Sequence, residues 1–264
     1  MNELFKLASE LMTGRNGIIL ISLLASFAPV GLWLWFWLHE DKKKPEPKRM
    51  IFKTFIVSGF FITIAFCLER LITPDTATIA RLQNIFHQSF SPALFLAGLW
   101  PLLAWAFIEE VVKYAAAYAA ALKSPDNDEP IDAMVYLLTA ALGFAAVENF
   151  LFLLSIGSSG GALTASFLFT GNLRFLGATL LHVVSSATLG AFIGYSFYKS
   201  LKTRMLFTGL GILAAVLLHT LFNLFIIMDD SKNILSVFIS LWLAAVGVMI
   251  LFEVVRRVKK KKNL

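Results

Sequence analysis

Residues Phe107 to Ala116 read FIEEVVKYAA, two adjacent glutamates and a lysine set in a long apolar run. The 264-residue chain around them is 58% hydrophobic and only 15% charged, with a mean hydropathy of +0.76. A soluble domain of this length seldom has that balance. A helix needs about 20 mainly apolar residues to cross a hydrocarbon core about 30 Å thick. In lipid the backbone must satisfy its own hydrogen bonds, so long apolar runs are helices. The stretch therefore belongs to a membrane segment. The expected fold class is all-α, a polytopic membrane helix bundle.

Working outward from it, seven apolar runs are expected to form transmembrane helices, at about 16–38, 51–72, 93–122, 131–156, 173–198, 205–228 and 234–255. Together they make one membrane-embedded domain over 1–264, with a catalytic part at about 93–228. The third run is overlong; tilt, or a start near Trp100-Pro101, accommodates it. The first run lacks a small-x-small cleavage signature and is followed by lysines, so it reads as a retained span. MNELFKLASELM before it has apolar residues at helical spacing and can lie along a membrane surface. DKKKPEPKRM and KSPDNDEP break helices, and GSSGGALTA is a flexible connector. The single cysteine, Cys67, lies in an apolar run and reads as a small buried hydrophobe, with no disulfide framework. Trp33, Trp35 and Trp37 are expected at a membrane interface. Gly190 to Gly194, GAFIG, reads as a close helix contact.

Lysine and arginine set the orientation. They cluster in the first loop (Lys42, Lys43, Lys44, Lys48, Arg49, Lys53), after the fifth run (Lys199, Lys202, Arg204) and in the tail RRVKKKKNL. With seven spans these fall on one side. The positive-inside rule then puts the N-terminus outside and the C-terminus in the cytoplasm. The net charge of +6 is explained by anchoring to anionic lipid, which argues against a nucleic-acid partner.

A charge at the centre of a membrane helix costs about 2.5–3.5 kcal/mol on insertion scales, and such residues usually face the bundle interior and carry function. The third run brings Glu109, Glu110 and Lys113; Glu109 and Lys113, four apart, share a face and can pair. The fourth brings Phe144, Glu148 and Asn149 in GFAAVENF. The fifth brings His182, followed by Ser185 and Ser186, and the sixth His219 and Asn223 in LLHTLFNLF. Four consecutive helices of a bundle can converge these groups on one polar cavity. A lone histidine in a span is more often a packing residue; the adjacent glutamates with lysine are the stronger signal.

Glutamate and histidine in such a cavity can activate a water, with histidine or asparagine stabilising the oxyanion. The same groups can hold a divalent metal such as zinc. HExxH is absent, and no serine or cysteine has an evident neighbouring base. EEVVK (Glu109 to Lys113), FAAVEN (Phe144 to Asn149), His182 and HTLFN (His219 to Asn223), together with DKKKPEP after the first run, resemble the successive motifs of the PrsW family of intramembrane proteases. That family belongs to the superfamily of CAAX-prenyl and bacteriocin-processing proteases. The likeness spans about Asp41 to Asn223.

The resemblance implies an intramembrane endopeptidase of the plasma membrane that cleaves a membrane-anchored protein, such as an anti-sigma factor. Glu109 and Glu110 match the paired glutamates required for activity, and the first is assigned water activation. His219 and Asn223 match the motif implied to bind the oxyanion. Glu148 stands where prenyl-protein proteases carry histidine, so it is a second base or a positioning group, and His182 then supplies the imidazole. Lys113, Asn149 and Phe144 are supporting residues. This reading requires no cofactor; were a metal present, Glu110, Glu148, His182 and His219 are the expected ligands. The rival reading, a proton- or cation-coupled transporter, uses the same buried groups as a relay, but the chain shows none of the internal symmetry that transporters often have.

Overall fold

Helix breakers and apolar length together dictate seven helices, and seven α-helices follow one another in the computed structural model, which describes residues 14–40, 44–72, 92–158, 165–228 and 234–259. They are α1 (Arg15–Glu40), α2 (Lys48–Ile72), α3 (Pro92–Ala117), α4 (Asp132–Ser158), α5 (Ala165–Tyr195), α6 (Leu201–Met228) and α7 (Ile234–Arg256). A π-helical turn, Tyr118–Leu122, extends α3. No strand occurs among the described residues. Among the described residues, five of the seven helices hold a stretch long and apolar enough to cross a membrane: Arg15–His39, Lys48–Ile72, Asp132–Ile156, Gly177–Tyr195 and Leu201–Leu224. α5 begins eight residues before its expected start at 173. The opening segment 1–13 and most of the GSSGGALTA connector, 159–164, lie outside the described residues.

The helices sort by what surrounds them. In α4 and α5, 67% and 83% of the span is buried, against 22%, 28% and 33% in α1, α2 and α6. α4 packs on α1, α2, α3 and α5, and α3 is held among α2, α4, α5 and α6. In lipid there is no hydrophobic drive between helices, so close backbone approach and dispersion contacts must hold them. A Cβ on Gly143 would lie 2.2 Å from the Phe55 carbonyl oxygen, so only glycine permits this contact of α2 with α4. In GAFIG, a Cβ on Gly190 would meet Met134 Cα at 2.6 Å, and one on Gly194 the Pro130 carbonyl oxygen at 2.2 Å. The expected small-residue contact is present. Large apolar side chains left on the outer faces, such as Phe52, Phe60 and Leu71 of α2, suit acyl chains.

One expectation about a single residue is corrected. Cys67 is exposed, not buried, because the inner face of α2 is taken by Ile62 and Ala65. Among the three tryptophans of α1, Trp33 meets Trp242 at 6.0 Å and Trp37 stacks on Phe252 at 5.4 Å, tying α1 to α7. Only Trp35, 65% exposed, faces outward.

The end of the bundle expected to be cytoplasmic is laced by polar contacts. Tyr136 donates to Glu46, and Lys44 pairs with Glu129; that carboxylate holds the Lys44 ammonium above the usual lysine range. The Asp132 carboxylate accepts the backbone N–H groups of Asp128 (2.7 Å) and Glu129 (2.6 Å). Lys53 donates to the Ala120 carbonyl at 2.9 Å, closing the π-helical turn.

Candidate active site

The site is built around the Lys113 ammonium. Lys113 follows Glu110 by three residues and Glu109 by four, so both carboxylates lie one helical turn away. Its Nζ donates to Glu110 Oε1 at 2.9 Å and to Glu109 Oε2 at 3.3 Å. Nζ also lies 2.6 Å from His182 Nδ1 on α5 and 4.7 Å over the Phe144 ring on α4. Lys113 and Glu110 are wholly buried.

Proton positions follow from the donors. An ammonium has no lone pair, so His182 Nδ1 accepts from Lys113. The ring proton therefore sits on Nε2, which donates to Glu148 Oε2 at 2.8 Å. Glu110 Oε1 also accepts from Ser185 Oγ at 2.9 Å, so it takes the His219 Nδ1 proton, at 2.9 Å, as well. Ser186 Oγ donates to Glu110 Oε2 at 3.3 Å. Each imidazole thus gives its proton to a carboxylate and turns its other nitrogen inward. His182 Nδ1 lies 3.7 Å and His219 Nε2 3.9 Å from Glu109 Oε2. The two rings meet edge-on, 5.2 Å between centroids.

The two glutamates differ. Glu110 is wholly buried, and its oxygens accept from Lys113, Ser185, His219 and Ser186. A carboxylate so engaged holds its neighbours in place. Glu109 keeps 14% of its side chain exposed and meets Lys113 only at 3.3 Å. Glu148 keeps 18% exposed.

Donor atoms of Glu109, His182 and His219 all lie within 4.8 Å of one another. Two imidazoles and one carboxylate are the donor set of many catalytic zinc sites. Each imidazole is oriented by a carboxylate on its far nitrogen, as second-shell partners orient metal ligands. The donor chemistry fits a divalent metal once Lys113, 2.6 Å from His182 Nδ1, releases that nitrogen. Of the expected ligand set Glu110, Glu148, His182 and His219, the two histidines belong to this donor group; Glu110 and Glu148 bond the opposite ring nitrogens, and Glu109 is the carboxylate that lies beside the inner ones.

Of the expected residues, Glu109, Glu110, Lys113, Phe144, Glu148, His182 and His219 come together. Asn149 does not join them; its Nδ2 donates to Thr179 Oγ1 at 3.1 Å, bridging α4 and α5. Asn223 is half-buried one turn beyond His219, and no hydrogen bond among the described residues links it to the cluster. Ser185 and Ser186, noted after His182 but without an evident base, both bond Glu110. Their spacing of three and four residues from His182 puts all three on one face of α5, but spacing alone does not show which carboxylate faces them. Glu69 was missed too. It falls on the α2 face of Ile62 and Ala65, which pack on Ile108, Val112 and Phe144.

Fold and site together define a class: a helical membrane protein whose buried interior gathers carboxylates and imidazoles suited to activating water. Residues 46–254 match the PrsW family intramembrane metalloprotease. Similar proteins include the Protease PrsW of Clostridioides difficile (strain 630), 28% identical over 203 residues, covering 75% of each chain. That of Shouchella clausii (strain KSM-K16) is 25% identical over 228 residues, 84% of this chain and 93% of its own. That of Bacillus subtilis (strain 168) is 22% identical over 196 residues, 74% and 78%. No solved structure matches. The chain belongs to the PrsW family, and it is an intramembrane peptidase. The transporter reading finds no support in these relatives.

Proposed function

We propose that the protein is an endopeptidase that hydrolyses a peptide bond of a membrane-anchored protein, an anti-sigma-factor-like substrate of the plasma membrane, with Glu109 as the group that activates water. The observation that carries this is the contrast within the glutamate pair: Glu110 is buried and saturated with donors, whereas Glu109 is partly exposed and faces the inner nitrogens of both histidines.

Glu109 takes a proton from water as the oxygen attacks the scissile carbonyl carbon, and returns it to the leaving nitrogen as the C–N bond breaks. The oxyanion accepts from the Asn223 amide and from His219. In the resting site the His219 Nδ1 proton goes to Glu110, so His219 donates from Nε2 as the imidazolium, having taken a proton from solvent before the attack and keeping it through the cycle. Glu148 fixes the His182 ring, and Glu110 that of His219. A divalent metal held by Glu109, His182 and His219 would supply Lewis-acid polarisation and a water of lowered pKa. In that case Glu109 serves as a ligand, and chelation abolishes cleavage; without a metal, chelation leaves cleavage intact.

The test is co-expression with candidate single-pass membrane proteins, wild type against Glu109→Gln, with mapping of new termini. A cleavage product present with wild type and missing with Glu109→Gln supports the reading. Identical products in both would contradict it.

A further inference from the structure

We propose that Lys113 is a built-in competitor for the metal site, an ammonium that engages donors an ion would need and must give up His182 before an ion can bind. The inference rests on reading Glu109, His182 and His219 as a metal triad.

An imidazole nitrogen without a proton has a single lone pair in the ring plane. At His182 that nitrogen is Nδ1, because Nε2 donates its proton to Glu148 at 2.8 Å. Lys113 Nζ lies 2.6 Å from Nδ1 and takes that lone pair. A metal ligand must offer the same lone pair, so the two cations exclude one another at His182. Lys113 also reaches Glu109 Oε2, a second member of the triad, at 3.3 Å. Its three N–H groups thus serve Glu109, Glu110 and His182, two of them triad donors. When an ion binds, the ammonium retains Glu110, at 2.9 Å, and the Phe144 ring face. Those two contacts give it a place to stay inside the bundle. Among the described residues no cation bonds His219 Nε2, which is 3.9 Å from Glu109 Oε2.

A site competent to bind only when an internal competitor has withdrawn loses affinity by the competent fraction, so removing the competitor should tighten binding by about tenfold or more. The experiment uses the full chain purified in detergent and titrated with Co2+, followed by its visible absorption and by bound-metal stoichiometry. The variants are Lys113→Met and, since that change leaves Glu110 buried without its cation, the double variant Lys113→Met/Glu110→Gln, which neutralises both together. His219→Ala in each background shows whether the ion sits at the triad. Tighter Co2+ binding in either Lys113 variant, lost with His219→Ala, supports the inference. Unchanged or weaker binding that still depends on His219 overturns it and leaves the metal triad standing. Absence of His219-dependent binding in wild type and variants overturns both.

Discussion

Glu109 and Glu110 are neighbours in the chain with different surroundings, and that difference separates their predicted phenotypes. Glu109→Gln keeps shape and burial but removes the base, and should lower cleavage about 10²–10⁴-fold with the melting temperature unchanged. Glu110→Ala strips one partner from the buried Lys113, Ser185, Ser186 and His219 at once. It should cost about 3 kcal/mol of stability, read as a lowered melting temperature in detergent. A Glu110→Ala protein as stable as wild type would deny its holding role. The pair and Lys113 were legible in the sequence because charges are costly in an apolar run. Which glutamate is saturated was not, because the 100° helical offset says that they diverge but not which neighbour each meets. Ser185 and Ser186 carried little signal, since serine is tolerated in spans for many reasons. Glu69, in the last turn of α2 beside Arg70, resembles an ordinary charge at a helix end.

Among the elements, glycines discriminate packed faces from lipid faces. Gly143→Ala would drive a methyl group into the Phe55 carbonyl and should cost about 1–3 kcal/mol, lowering the melting temperature. Gly209 in α6 has nothing within 4 Å of its missing Cβ, so Gly209→Ala should be neutral or stabilising by up to about 1 kcal/mol. Equal effects at the two positions would contradict the placement of these helix faces. All seven helices were legible as apolar runs, and GAFIG as a contact motif. The start of α5 was not, because Gly171 and Asn172 look like connector residues and yet lie within the helix. The π-helical turn was also hidden, because its stabilising partner, Lys53, is 67 residues from Ala120 and reads locally as a loop cation.

At the scale of the whole molecule, α3, α4, α5 and α6 bring their polar groups to one interior site, a convergence that spacing along single helices suggested but only the bundle provides. The positive-inside pattern predicts a cytoplasmic C-terminus. A C-terminal green fluorescent protein fusion should therefore fluoresce, and a C-terminal alkaline phosphatase fusion should be inactive; the reverse would overturn the orientation. The central claim is hydrolysis at the Glu109 site, and its most direct test is cleavage of a purified single-pass substrate co-reconstituted in liposomes with wild type or Glu109→Gln. The account predicts a defined new terminus with wild type and none above background with Glu109→Gln. Cleavage at the same position and rate by both proteins would contradict it.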